Sequence, residues 1–157
     1  MKIIKDVNKD EVWNHWKKVE GFSEDNFRSD IRSPIPPDTK WFLALIEQAD
    51  IKNLHIISSD DWTEITDGTF SVEKVAANLS KDSLNENTVR ISNDIKAKIE
   101  FLKSDNLFDT RLIVVTDNVK GLFTIIEGNR RSAALLFVNQ LIDKEIYIGI
   151  SNSMKFY

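Results

Sequence analysis

The residues with the clearest chemical potential lie where a predicted strand meets a predicted helix, between Thr124 and Leu135. The run Thr124–Ile126 is β-branched, Gly128 follows closely, and small, helix-compatible residues come next. Glycine adopts the unusual backbone angles that such an abrupt junction needs, and it lets a ligand approach closely. The first N–H groups of a helix have no backbone partner and carry the positive end of the helix dipole. The junction is therefore typical of a phosphate-binding turn.

Two arginines in the first turn of this helix could supply phosphate contacts. Arg130 and Arg131 carry forked guanidinium donors that match phosphate oxygens. Positive charge at a helix N-terminus is mildly unfavourable, so an alternative is that Glu127 neutralises the arginines or that both are solvated. Adjacent helical residues point about 100° apart, which also allows one arginine to face a ligand while the other braces the fold. The spacing alone leaves these alternatives open.

Composition limits the classes of function. The chain has 157 residues, of which 41% are hydrophobic and 29% charged, and this predicts one globular domain with a buried core. No apolar run is long enough for a transmembrane helix or a signal peptide, so no membrane association and a cytoplasmic location are expected. The absence of cysteine excludes disulfides, thiolate metal ligands and thiol catalysis. A net charge of −4 disfavours nucleic acid as a partner, since duplex binding usually needs a basic surface.

Apolar periodicity predicts several helices. The first opens with Asn8 and Glu11 at capping-box spacing and can end at Gly21. After a loop over 22–38, a second helix is predicted from Asp38 or Thr39, with an apolar face formed by Trp41, Phe42, Leu45, Ile46 and Ala49. The remaining expectations are a helix after Ser71, a polar loop over 81–90, a helix from Ser92 or Asn93, and a helix over about 130–141.

Strands are expected mainly in the second half of the chain. The β-branched run 111–116 is typical of a buried strand, and a turn over 117–121 leads to a return strand over 122–126. Shorter strands are predicted over 53–58 and 145–150. Helices followed by a mixed region of strands and helices indicate the α+β class.

Residues 126–135, Ile-Glu-Gly-Asn-Arg-Arg-Ser-Ala-Ala-Leu, resemble the Gly-x-[Arg/His]-Arg-x-x-Ala motif of the ParB/sulfiredoxin-like family. The hairpin before the motif and the strand after it are also similar to the arrangement in that family, so the resemblance covers about residues 92–150. It implies a small mixed sheet with packed helices over residues 51–157. Residues 1–50 would then form a helical N-terminal extension.

The resemblance also implies a ligand. In this family the motif cradles nucleotide phosphates, so Gly128, Asn129, Arg130, Arg131 and Ser132 are expected to bind a nucleoside triphosphate, CTP or ATP, with Mg²⁺ as a further candidate. Sulfiredoxin needs a cysteine at the position of Asn129, and partition proteins usually carry a glutamate tied to hydrolysis there. Because Asn129 supplies neither a thiol nor a carboxylate, nucleotide binding is expected more than hydrolysis.

Catalysis on a phosphate would require a carboxylate to hold a metal ion or act as a base. Glu127 is the preferred catalytic candidate because it adjoins the motif, although its role could be limited to pairing with an arginine. Further carboxylates lie in predicted turns, where such residues are common for conformational reasons: Asp60, Asp61, Glu64 and Asp67. A metal-dependent phosphotransferase or nuclease is the alternative function, and a non-catalytic module that binds a protein or associates with DNA is a third.

The histidines and tryptophans predict structural roles. His15 and His55 lack the spacing of metal ligands, so no metal site is expected from them. The chain has four tryptophans, Trp13, Trp16, Trp41 and Trp62, which could stack on bases. Three of the four lie on predicted apolar helical faces, which favours core packing.

Overall fold

The computed structural model describes residues 1–24, 27–81, 85–108 and 110–155 and shows an α+β architecture around one six-stranded mixed sheet. The strands are β1 (Lys2–Val7), β2 (Lys40–Leu45), β3 (Leu54–Ile56), β4 (Leu112–Thr116), β5 (Phe123–Glu127) and β6 (Glu145–Ile150). The helices are α1 (Lys9–Glu20), α2 (Ser29–Arg32), α3 (Asp60–Thr63), α4 (Val72–Asn78), α5 (Glu86–Lys103) and α6 (Asn129–Phe137), with a 3-10 helix at Gln48–Asn53. None of the helices within the described ranges is long and apolar enough to cross a membrane.

The strand order is β1-β2-β6-β4-β5-β3. β4 and β5 form an antiparallel hairpin, β6 pairs with β4 in parallel, and β3 pairs with β5 in parallel. β2 adds to β6, and β1 adds to β2, both antiparallel. Because β3 and β5 run in the same direction, the segments that follow them leave the sheet at the same end, where ligands often bind in sheets with parallel strands.

The central strands supply apolar cores on both faces of the sheet. Leu112 and Val114 of β4 pack into the core that includes residues of α4, α5 and α6. Their neighbours Ile113 and Val115 pack into a second core, which includes Trp16 of α1. Since successive strand residues point to opposite faces, α1 lies on one face of the sheet and α4, α5 and α6 lie on the other. A continuous β-branched run is what a strand buried on both faces requires.

Several predicted elements are confirmed. The Asn8 side chain accepts a hydrogen bond from the Asp10 amide (2.8 Å) at the start of α1, and Gly21 ends that helix in a left-handed conformation with φ 72°. The strands predicted around β3, β4, β5 and β6 are present, and the helix α4 begins directly after Ser71. The α+β class follows from the same pattern of elements.

The helix predicted from Asp38 or Thr39 is wrong, because residues 40–45 form the strand β2. Trp41 and Leu43 enter the core beneath α1, whereas Ala44 enters the opposite core. This alternation has the period of a strand, but an apolar segment of this length also fits a helical face. Pairing with β6 along the whole strand decides between the two periods.

The strand β1 had no sequence signal. Five of its six side chains are exposed and the sixth is half-buried, so it lacks the alternation that identifies a strand. With β1 and β2, the sheet includes strands on both sides of the expected boundary at residue 50. Among the described residues before this boundary, the expected helical character holds for α1, for the start of the 3-10 helix at Gln48, and for the short α2, which interrupts the predicted loop over 22–38.

The polar segment before Ser92 also differs from its prediction. Residues 86–90 form the first turns of α5, not a loop, while 82–84 lie outside the described residues. The Asn85 side chain accepts from the Thr88 amide (3.0 Å) and therefore caps the helix. At the other end of the chain, α6 stops at Phe137, before the predicted limit near 141, and Asn139 follows it in a left-handed conformation (φ 58°).

This helix start can be tested with two asparagines of the same helix. Asn85→Ala should lower the free energy of unfolding by about 1 kcal/mol, because the cap at the N-terminus is lost. Asn93→Ala, at the start predicted from sequence, should leave stability within about 0.5 kcal/mol or raise it, because alanine favours the helix interior. Urea denaturation of both variants measures the difference, and equal losses would contradict a start at Asn85.

Candidate functional site

The turn between β5 and α6 has the geometry of an anion-binding turn. Gly128 lies in the left-handed region with φ 94° and ψ 20°. A Cβ atom at this position would overlap Cδ2 of the buried Leu112 and lie 3.0 Å from Nη2 of Arg131, so only glycine fits without displacement. The backbone N–H of Ser132 donates the first hydrogen bond within the helix, to the Gly128 carbonyl oxygen (2.8 Å). The amides of 129–131 precede that bond and form the positive end of the helix.

A cleft of about 830 Å³ opens beside this turn. The segments that follow the parallel strands β3 and β5 form two of its walls, and residues of α1, α2 and α5 line the remainder of the cleft. It is lined by Val19, Glu20, Arg28, Asp30 and Ile31; by Ile57, Ser58, Ser59, Asp61 and Trp62; by Lys98 and Thr110; and by Glu127, Gly128, Asn129, Arg130 and Arg131. Its size is in the range of small-molecule sites.

The two arginines of the motif have different surroundings. Arg130 is 39% exposed in its side chain and pairs with Asp94 of α5 at 2.5 Å. Arg131 is buried and donates from Nη2 to Oε2 of Glu127, which is also buried. Adjacent positions on α6 therefore separate the two roles, with Arg130 accessible from the cleft and Arg131 bracing the turn from within.

Asn129 and Ser132 also differ. Asn129 lines the cleft, and its Oδ1 atom is buried without a hydrogen-bond partner among the described residues. Ser132 is fully buried, and its hydroxyl donates to the Asn129 carbonyl at 2.8 Å. Ser132 is absent from the described lining of the cleft, so the structure places it behind the turn, where it stabilises the first turn of α6.

Glu127 is the most strongly perturbed acid of the cleft. Burial raises the pKa of its carboxyl from the ordinary 4.5 to about 7, although the neighbouring Arg131 guanidinium opposes the rise. The Glu20 carboxylate adds to the increase, and Arg28 acts against it. Near neutral pH Glu127 therefore exchanges between its neutral and ionised forms.

The carboxylates after β3 separate into different positions. Asp61 lines the cleft, and Asp60 lies outside the described lining. Glu64 accepts from the Asn85 amide and the Thr88 hydroxyl (both 2.9 Å), which ties α3 to α5. Asp67 pairs with Lys81 at 3.0 Å and Lys74 at 3.6 Å. Glu64 and Asp67 thus support the fold and not the cleft.

A resident metal ion has little support in this arrangement. Within the described parts of the chain, no three His, Asp or Glu side chains are grouped so as to hold a metal. Glu127, the acid nearest the motif, is already paired with Arg131. These residues fit an anionic ligand better than a Mg²⁺ ion held by protein side chains alone.

Sequence reasoning missed the contributions of the N-terminal segment and α5. Glu20 is held in place by the fully buried Trp16, whose Nε1 donates to Oε1 at 2.8 Å, and Nε of Arg28 lies 3.7 Å from Oε2. Arg28 itself has a left-handed backbone (φ 47°), an unusual conformation for a non-glycine residue. Lys98 reaches the cleft from the middle of α5. These positions lie far from the motif in sequence, so no local pattern connects them to it.

The aromatic and histidine residues mostly support the core. Trp16 and Trp41 are buried, and the ring of Trp13 lies 5.2 Å from that of Trp41, as core packing predicts. Trp62 is buried as well but also lines the cleft. His15 is held by the backbone of Arg111, with Nε2 3.0 Å from its carbonyl oxygen and 3.1 Å from its amide nitrogen.

No protein-family model, curated protein or solved structure matches the chain. The resemblance to the ParB/sulfiredoxin-like family therefore depends on the motif and its flanking elements. The α+β class and the mixed sheet with packed helices are shown by the coordinates.

The raised pKa of Glu127 has a measurable effect on stability. A carboxyl with a higher pKa in the folded state stabilises the fold at low pH, and this contribution is lost as pH rises from about 4.5 through 7. The free energy of unfolding of the wild type minus that of Glu127→Gln should fall by about 2–3 kcal/mol between pH 4.5 and 8. Urea denaturation across this range measures it. A flat profile for Glu127→Gln would contradict the shift.

Proposed function

We propose that the cleft binds the phosphate group of a nucleotide at the turn Gly128-Asn129-Arg130-Arg131, in a domain of the ParB/sulfiredoxin-like fold. The observation that carries the proposal is the left-handed Gly128 turn, which brings the N-terminus of α6 to a cleft that is also lined by Arg28, Lys98 and Arg130. Helix N-termini favour anions, and guanidinium groups add forked donors.

The division between the two arginines supports this function. Arg131 is committed to Glu127, so it contributes positive charge near the turn without being available for a forked contact. Arg130 is half-exposed, and its carboxylate partner Asp94 lies outside the described lining of the cleft. A bound phosphate would compete with Asp94 for the same guanidinium. The site would therefore bind and release its ligand reversibly.

This competition predicts effects of opposite sign at two paired residues. Arg130→Ala should weaken binding about tenfold, because a charge-assisted hydrogen bond is lost. Asp94→Asn should strengthen it about two- to threefold, because Arg130 loses its competing carboxylate. Calorimetric titration with inorganic phosphate, CTP and ATP, each with and without Mg²⁺, measures both.

A second ion pair on α5 provides the control. Lys103 and Glu100 pair at 2.9 Å and lie outside the described lining of the cleft. Lys103→Ala and Glu100→Gln should leave the affinity unchanged. If the folded wild type binds none of the three ligands, the proposed function is wrong; if Arg130→Ala and Asp94→Asn both weaken binding, Arg130 acts only through its ion pair.

One observation favours a second candidate, phosphoryl transfer or nucleic-acid cleavage on the same fold. Glu127 combines a position on the cleft with a pKa near neutrality, as general acid–base residues do. With a panel of nucleotide and nucleic-acid substrates supplied with Mg²⁺, Glu127→Gln should reduce turnover by about a hundredfold or more, a larger loss than any it causes in phosphate affinity. Turnover that survives this substitution would remove Glu127 from the chemistry, and a panel without turnover would leave binding as the function.

A further inference from the structure

The cleft is lined by as many acids as cations. Glu20, Asp30 and Asp61 line it together with Glu127, while the cations are Arg28, Lys98, Arg130 and Arg131. With all of these groups ionised, the lining carries no net charge. A site built for several phosphates would need an excess of cations, because each added phosphate brings further negative charge.

Glu20 is the acid of this lining that the buried Trp16 holds in place. Its Oε1 accepts from the indole of Trp16, which is fully buried, and its side chain is only 26% exposed. Its Oε2 lies 3.7 Å from Nε of Arg28, too far for a hydrogen bond. The carboxylate is therefore held in one place with an oxygen that can accept a hydrogen bond from a ligand.

Asn129 adds an unsatisfied acceptor within the proposed phosphate-binding turn. Its buried Oδ1 has no hydrogen-bond partner in the described residues, although the side chain lines the site. Buried acceptors are normally paired, so this atom calls for a donor. Fully ionised phosphate oxygens only accept, whereas hydroxyl and amino groups donate.

We infer that the cleft takes a phosphate monoester whose remaining part carries hydroxyl or amino donors, such as a nucleoside monophosphate, and discriminates against triphosphates. The inference rests on the proposed function. The single phosphate lies at the α6 N-terminus with Arg130, and the donors of the sugar or base meet Glu20 and Asn129. Van der Waals contacts with Ile31 and Trp62 are available to the uncharged part of the ligand.

The test compares adenosine and cytidine mono-, di- and triphosphates with inorganic phosphate by calorimetry, at pH 8 and constant ionic strength, with a chelator in place of Mg²⁺. The monophosphates should bind more tightly than inorganic phosphate and more tightly than the triphosphates. In Glu20→Gln, the ratio of triphosphate to monophosphate affinity should rise about threefold or more, as expected for removal of one nearby negative charge. Glu73→Gln, exposed on α4, makes the same change in net charge outside the described lining and should leave the ratio unchanged.

The outcomes separate the two proposals. Triphosphates that bind as tightly as the monophosphates or more tightly, or an equal change of the ratio in Glu20→Gln and Glu73→Gln, would overturn the inference while the proposed function stands. Inorganic phosphate that binds as tightly as the monophosphates would also overturn it, because the ester group would then make no contact. If no phosphate compound binds at all, both fail.

Discussion

The buried ion pair between Glu127 and Arg131 connects the last residue of β5 to the first turn of α6, and the geometry of the cleft depends on it. Burying two charges is costly unless they are paired, so the backbone between them must bring the side chains together within four residues. The left-handed turn at Gly128 does this, and the space of its missing Cβ is taken by Leu112 and Arg131. The same turn brings the N-terminus of α6 to the lining of the cleft, so the constraint that buries one arginine also supplies the helix end on which the proposed function depends.

The elements that could be predicted from sequence are those with a local signal. β4 contains a continuous β-branched run over 113–116, α1 carries its own cap at Asn8, and Gly128 marks the junction of strand and helix. β2 could not be predicted, because its apolar residues fit both periods and only pairing with β6 decides between them. β1 has no buried face, and the cap at Asn85 was hidden in a polar segment.

The residues of the candidate site likewise include some that could be predicted from sequence and others that could not. The motif residues from Glu127 to Arg131 are adjacent in sequence and line the cleft together. Ser132, which was also expected to contact the nucleotide, lies behind the turn. The cleft is also lined by residues that precede the motif by about a hundred positions, including Glu20 and Arg28. Their proximity follows from the packing of α1 against the sheet through Trp16, a tertiary contact that no local pattern encodes.

These lining residues give the N-terminal segment a role in shaping the cleft that its sequence did not suggest. Trp16 belongs to the core and also donates to Glu20, so the same indole fixes α1 on the sheet and orients an acid toward the cleft. Because the Glu20 carboxylate raises the pKa of Glu127, these two acids are coupled electrostatically. A ligand that places negative charge between them makes ionisation of Glu127 less favourable, and binding would then be accompanied by proton uptake near neutral pH. Under the proposed function, phosphate affinity is thus linked to the buried pair on which the turn depends.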